Sequence, residues 1–501
     1  MVKEFIKDVV KSSIKDIARF VRDPINVQQE VFDNLIKNGK ETKFGEEYNF
    51  NNIRTIEDFQ KNVPIHNYDD LKPYFERILQ NNEQNVLWNT PVKWFAMSSG
   101  TTSDKSKYIP VTKEALESCH YKGGRQMLGI YVDRHPETNF IFGKSLVLGG
   151  SRQINTLSSD VFTGDISAIL VSNLPFWAKY SRVPDQKTIL IPDWEEKLAK
   201  LTEKSIKKNV TSIAGVPSWI LILLKYIEEK TNRKIPEIWP NLEVFFHGGV
   251  SFLPYVEQYK KILNKPNMNY WENYNASEGF FGIQYNTNSK DMILLLDSGV
   301  FYEFIPPEEW DKEQPKAIPL ADVETGINYA IVITSNAGLW RYQIGDTIEF
   351  TSKYPYLFKF TGRTKLFINA FGEELIIDNA ENALQEACAK TNSIIAEYTA
   401  APIFIGDNSA GAHEWIIEFE KFPSSFDEFA VSLDNALKSV NSDYEAKRSH
   451  NLTLRLPQIV GVEKGTFFRW LKSKNKIGGQ NKVPRLSNDR KYVDEIKRFI
   501  K

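Results

Sequence analysis

A chain of 501 residues with 42% hydrophobic and 25% charged side chains has the make-up of an ordinary soluble protein with a large core, in about three domains or fewer. A formal net charge of -1 supplies no field to draw in nucleic acid or an anionic membrane, and no run of about 18 apolar residues is present to span one. Two distant cysteines, Cys119 and Cys388, fit a reduced cytoplasmic chain, and six histidines with no His-x-x-x-His or Cys/His cluster argue against a zinc site.

Met1 to Asp23 sets charged residues against Phe5, Val9, Ile14, Ile17 and Val21, the pattern of an amphipathic helix rather than a signal peptide. Helical patterning continues to about residue 90, with loops at Asn38-Gly39 and around Pro64 and a helix from Tyr68 to Leu79. Lys93 to Thr112 then reads as strand, polar loop, strand. Ser98, Ser99, Gly100, Thr101, Thr102 and Ser103 form a run of small donors, followed by Lys105 and Lys107. Converging N–H and O–H groups with nearby ammonium charge suit a nucleotide triphosphate; the plain alternative is a solvated hairpin tip. Thr112 is placed to cap a helix running towards Ile130.

Ile141–Gly150, Val210–Gly215, Leu242–Phe246 and Met268–Tyr270 read as strands, with an apolar helix from Val216 through Ile227. Such alternation predicts an α/β layer with parallel strands, whose carboxyl ends are where ligands lie. Gly248-Gly249 and Tyr274-Asn275-Ala276-Ser277-Glu278-Gly279 fall at such ends. Paired glycines let backbone approach a flat ligand, an aromatic stacks on a base, and a carboxylate holds Mg²⁺ beside phosphate. Each is equally an ordinary strand-end turn, and His247 reads as a strand-end histidine with its hydrogen bonds met.

From Met292 to Phe371 short strands predict an antiparallel subdomain, with strands at 301–305, 329–334, 347–350 and 357–360 among others. Asp346, after Gly345, suits both ribose hydroxyls or a simple turn; Arg363 suits phosphate, ribose or a surface carboxylate. Beyond residue 369 the pattern gives helices at 378–391 and 426–440 and strands at 395–400, 414–419 and 451–456. This α+β unit is domain-sized, with a hinge placed near Lys365–Leu366. Near the C-terminus, Lys482 sits in a glycine-rich basic loop. It is either part of a solvated tail or a mobile charge for an α-phosphate.

In order, Ser98–Ser103, Tyr274–Gly279, Arg341-Tyr342-Gln343-Ile344-Gly345-Asp346, Gly362-Arg363 and Asn481-Lys482-Val483-Pro484-Arg485 resemble the adenylate-forming enzymes. They resemble most the auxin-responsive (Gretchen Hagen) family of acyl acid–amido synthetases, in a bacterial-type branch. Where plant members carry an Asp-Lys segment soon after the Gly-Arg pair, this chain reads Phe367-Ile368-Asn369-Ala370-Phe371-Gly372-Glu373-Glu374, without the lysine. The resemblance implies an α/β fold with an N-terminal domain, 1–365, that binds ATP and the acyl acid, and a smaller mobile α+β domain, 366–501, carrying Lys482. It implies ATP and Mg²⁺, a small carboxylic acid, and an amino-acid amine as acceptor. Ser98 to Ser103 would hold the β- and γ-phosphates, and Gly248, Gly249 and Tyr274 would lie on adenine. Ser277 and Glu278 would face the α-phosphate and metal, Asp346 the ribose, Arg363 the ribose or phosphate, and Lys482 the forming adenylate. Trp219 is a candidate for the acyl pocket, or else core packing. Coenzyme A as acceptor, or a non-catalytic ATP-binding protein, are the alternative expectations.

Overall fold

The computed structural model describes residues 2–99, 106–149, 155–156, 161–174, 181–191, 193–252, 255–310, 312–364, 367–406, 409–451, 453–474 and 483–500. Among them the centre of the larger part is a twelve-stranded sheet. Asn269–Ala276, Val244–His247, Val210–Gly215, Lys144–Val147 and Arg182–Val183 lie side by side in parallel. Gly279–Gln284 turns back antiparallel on Asn269–Ala276, and from there Met292–Leu294, Tyr356–Arg363, Leu339–Lys353, Asn328–Ser335, Val300–Ile305 and Ile318–Pro319 continue in antiparallel pairing. The antiparallel strands expected between Met292 and Phe371 are present, and they continue the same mixed sheet as the parallel ones. A second sheet pairs Trp94–Ser99 with Ser106–Val111 and, on its other edge, with Phe162–Gly164.

Several boundaries differ from the sequence reading for physical reasons. Asn38-Gly39 is not a loop: the helix runs Pro24–Gly39, and a Cβ at Gly39 would lie 2.4 Å from the Trp340 ring, so only glycine lets the helix end against that indole. The strand expected at 268–270 extends to Ala276, so Tyr274 stands in a strand and Ser277-Glu278 is the two-residue hairpin turn. The strand expected at 347–350 is one long strand, Leu339–Lys353, that absorbs Gly345 at φ +90°. Asn451–Leu456 is not a strand beyond a single bridge at Leu454; the third strand of the C-terminal sheet is Gln458–Val462, parallel to Ala412–Lys421. His247 is buried, and neither ring nitrogen has a hydrogen-bond partner among the described residues. It stacks on Phe252 at 4.2 Å, and burial pushes its pKa down to about 3, so it is a neutral packing group.

One apolar core joins the N-terminal helices to the antiparallel half, with Trp340 between Phe44 and Phe50. A second runs from the helix Pro217–Thr231, through Tyr255 and Tyr259, into Phe371, Leu375 and the C-terminal helices Ile377–Thr391 and Phe426–Val440. The contact is polar as well. Tyr255 Oη donates to the Ala370 carbonyl at 2.7 Å, Trp219 Nε1 to the Phe371 carbonyl at 3.2 Å, and Lys225 Nζ to the Gly406 carbonyl at 2.6 Å. The expected hinge at Lys365–Leu366 lies outside the described residues. No described helix is long and apolar enough to cross a membrane.

Candidate functional site

Asp346 and Arg363 face each other as a register pair of neighbouring strands. Arg363 Nε donates to Asp346 Oδ1 at 2.7 Å, and the Tyr274 hydroxyl donates to the other carboxylate oxygen. Both Asp346 and Tyr274 are buried. Burial first, then the Asp346 charge, holds the Tyr274 phenol protonated, so it serves Asp346 as a donor. Arg363 also reaches Glu374, at 3.4 and 3.5 Å. Burial alone would lower the Arg363 pKa; the carboxylates of Glu374 and Asp346 more than offset it and leave the guanidinium firmly charged.

The Ser277-Glu278 turn brings a second charged pair to the same place. Burial pushes the Glu278 carboxyl up to about 7, against the pull of Lys107, while Glu374 and Asp346 push the same way as burial. Burial likewise lowers the Lys107 ammonium, opposed first by Glu278, with Arg363, Glu374 and Asp346 also close enough to act. Lys107 pairs in register with Ser98 at the mouth of the hydroxyl hairpin, and its Nζ lies 5.8 Å from the centre of the Tyr68 ring. The Tyr68 hydroxyl in turn accepts from the Tyr108 N–H at 2.9 Å. Tyr342, buried, feels Glu278, Tyr68, Arg363 and Asp346. A cavity of about 200 Å³ bordered by Tyr270, Gln284 and Lys290 lies at the opposite end of the Asn269–Ala276 strand and does not include any of these groups.

Gly248-Gly249 joins this cluster through a chain of polar contacts. Asn369 Nδ2 donates to the Gly249 carbonyl at 3.3 Å, Asn369 Oδ1 accepts the Glu374 N–H at 3.4 Å, and Glu374 meets Arg363 and so Asp346. Glycine is required at both turn positions: a Cβ on Gly248 would sit 2.3 Å from the Asn273 carbonyl oxygen, and Gly249 has φ +83°.

The structure thus gathers Ser98, Gly248, Gly249, Tyr274, Ser277, Glu278, Asp346 and Arg363 at one end of the sheet. Ser99 is described in its backbone only; Gly100, Thr101, Thr102, Ser103 and Lys482 lie outside the described residues. Trp219 lies apart, at the contact between the two units. Tyr68 and Glu374 are members that motif reading missed, and Tyr342 is one that it included without a role. Lys107 was visible as charge beside the hydroxyl run, but nothing in the sequence pairs it with Glu278. Arg341, inside the quoted motif, is not part of the cluster: it is buried on Glu303 at 2.9 and 3.0 Å and on the Val63 carbonyl. One carboxylate at a turn, flanked by a lysine, suits Mg²⁺, which takes one or two carboxylates and fills its remaining positions from phosphate and water.

Three family comparisons cover most of the chain. Sequence models of the GH3 family N-terminal domain, the GH3 family central domain and the GH3 family C-terminal domain match residues 13–268, 293–363 and 378–491. An indole-3-acetic acid-amido synthetase, GH3.4 of Arabidopsis thaliana, is 24% identical over 94% of this chain and 91% of its own. A jasmonoyl–L-amino acid synthetase of Nicotiana attenuata is 23% identical over 91% and 90%. The solved structure of AtGH3.15, an acyl acid amido synthetase in complex with 2,4-DB, superposes with a TM-score of 0.63 at 17% identity, covering 98% of this chain and 96% of that one.

Proposed function

The chain belongs to the GH3 family, and we propose that it activates a small carboxylic acid with ATP and passes the acyl group to the amine of an amino acid, forming an amide. It is an ATP-dependent ligase. In the first step a carboxylate oxygen attacks the α-phosphorus, the bond to the bridging oxygen breaks, and pyrophosphate leaves. In the second the amine attacks the acyl carbon, the acyl–oxygen bond to AMP breaks, and the amine gives up a proton.

The observation that carries this reading is the convergence of Lys107, Glu278, Asp346 and Arg363 from four separate stretches of chain. Asp346 accepts the two ribose hydroxyls, held in place by Tyr274 and Arg363. Gly248, Gly249 and the Tyr274 strand border adenine. Ser98 to Ser103 receive the β- and γ-phosphates, with Lys107 adding charge at their base. Ser277 and Glu278 face the α-phosphate, where Glu278 holds Mg²⁺; that ion supplies charge neutralisation on the phosphate oxygens. Lys482 reaches the adenylate as charge builds on it. The division into residues 1–365 and 366–501 is part of the same proposal, the smaller unit turning between the half-reactions to exchange one set of groups for another. Mass spectrometry of products formed from ATP, a panel of carboxylic acids, and either amino acids or coenzyme A tests it. An acyl amide with AMP is expected; a thioester in its place makes the acceptor coenzyme A.

A further inference from the structure

A second anion reaches the Arg363 guanidinium, and it comes from the far side of the expected hinge. Asp346, on the neighbouring strand, accepts from Arg363 Nε at 2.7 Å. The two terminal nitrogens meet the Glu374 carboxylate instead, Nη1 at one oxygen at 3.5 Å and Nη2 at the other at 3.4 Å. The centre of the Phe367 ring lies 5.1 Å from the guanidinium carbon. Phe367 and Glu374 both belong to the hairpin that opens the smaller unit, where Phe367–Ile368 pairs with Leu375–Ile376. That hairpin thus lies against Arg363 and caps it with charge. The Arg363 and Glu374 side chains are 20% and 29% exposed, so the contact is not sealed from water.

Glu374 is held there on a backbone that side chains rarely adopt. Its φ is +40°, in the left-handed region. Such a conformation persists only where the surroundings over-determine it, and here they do. The Glu374 N–H donates to Asn369 Oδ1 at 3.4 Å, and its carbonyl accepts from Asn441 Nδ2 at 3.2 Å. Asn441 is fully buried, and the same nitrogen donates to the Glu373 carbonyl at 3.0 Å. Glu373 is fully buried too. Its carboxylate accepts from the Ala370 and Phe371 N–H groups at 3.2 and 2.7 Å and lies 2.8 Å from His413 Nε2. All of these anchors lie in the smaller unit, and Arg363 lies in the larger one. The strained backbone therefore aims a carboxylate of one unit at a cation of the other.

We propose that Glu374 is a stand-in for the departing phosphates: in the docked arrangement seen here, its carboxylate takes the Arg363 donors that the triphosphate uses during adenylation. This rests on the ATP-binding reading above. Asp346 takes the ribose in that reading, so the Arg363 donors that turn away from Asp346 lie beside the next part of the nucleotide, its phosphates. The guanidinium fork fits carboxylate and phosphate oxygens alike, so the exchange leaves Arg363 paired in both states. The two anions do not share one place, because like charges repel. With the triphosphate bound, Glu374 is displaced, and the hairpin that carries it moves off. Once pyrophosphate has left, Glu374 returns. It is thus a positioning residue, acting through Arg363, that ties docking of the smaller unit to the loss of pyrophosphate and opposes its return.

Calorimetry on the full chain with Mg²⁺ and a non-hydrolysable ATP analogue, and with AMP as the control, tests this. Glu374→Gln keeps the shape of the side chain and removes its charge. It should bind the analogue about three-fold or more tighter than the parent, with AMP within about two-fold. Glu374→Gly also relieves the positive φ and should shift the analogue the same way, so a folding defect in one variant leaves the other to decide. A merely structural ion pair predicts the opposite sign, since its loss would loosen Arg363 and weaken the analogue. In steady-state amide formation both variants should lower the ATP KM and kcat together. Unchanged or weaker analogue binding in either folded variant overturns the stand-in. A parent that binds no analogue overturns the ATP reading, and the stand-in with it.

Discussion

The two halves of the large sheet deliver their groups to the cradle in different ways. In the parallel half, Val244–His247 ends and the chain turns at Gly248-Gly249, so that what the turn presents beyond the strand end is backbone. In the antiparallel half, Asp346 and Arg363 stand inside long strands and meet because strand register sets them opposite one another. The Ser277-Glu278 turn is the seam, since Asn269–Ala276 pairs in parallel on one side and antiparallel on the other. A parallel half presents backbone that tolerates no side chain, and an antiparallel half presents charge whose aim depends on register.

The comparison is most easily broken on the antiparallel side. Asp346→Ala leaves a buried guanidinium and a buried phenol facing each other without their carboxylate. Stability should fall by about 3 kcal/mol, as when one partner of a buried pair is removed, and ATP affinity by roughly 100-fold, with acid binding less affected; denaturant titration and calorimetry measure the two. Lys482→Ala should slow adenylate formation by roughly 100-fold or more, the scale for losing a charge stabiliser of the transition state, while leaving ATP affinity near normal in an equilibrium titration. On the parallel side, Gly248→Ala must push against the Asn273 carbonyl. An added methyl in a filled place costs about 1–3 kcal/mol, and a thermal melt beside an ATP titration should show both stability and affinity falling.

The seam gives the smallest and most specific effect. Glu278 is held protonated up to about 7 by burial, whereas an unfolded chain loses that proton near the usual carboxylate value. Between those values the native state carries more protons, so its stability falls as pH rises through the window. Glu278→Gln should flatten that slope in melts run from about pH 4.5 to about pH 7. Mg²⁺-dependent ATP binding should move oppositely in the parent chain, strengthening as the carboxylate forms. Parallel pH curves for parent and variant would remove Glu278 from both roles.

How much of this was legible in the sequence follows the same division. The Trp94–Ser99 and Ser106–Val111 strands, the capping contact of Thr112 Oγ1 with the Ala115 N–H, and the Gly-Gly turn were readable because each is local. Register is not local. Gly345-Asp346 has the composition of a turn, yet Gly345 takes its positive φ within a continuous strand, and that strand carries Asp346 to Arg363. Glu374, and the pairing of Lys107 with Glu278, were missed for the same reason, since each has meaning only beside a partner brought by folding. The motif order marked Asp346 and Arg363 through family resemblance, without saying that they pair.

Acid-dependent exchange of pyrophosphate into ATP, run over a panel of carboxylic acids on the parent chain and on Asp346→Ala, is the most direct measurement of whether these stretches form one adenylating site. Exchange that requires an acid in the parent and drops by roughly 100-fold in the variant is the predicted result. A parent that binds ATP but supports no exchange with any acid, or a variant that exchanges at the parental rate, would contradict it.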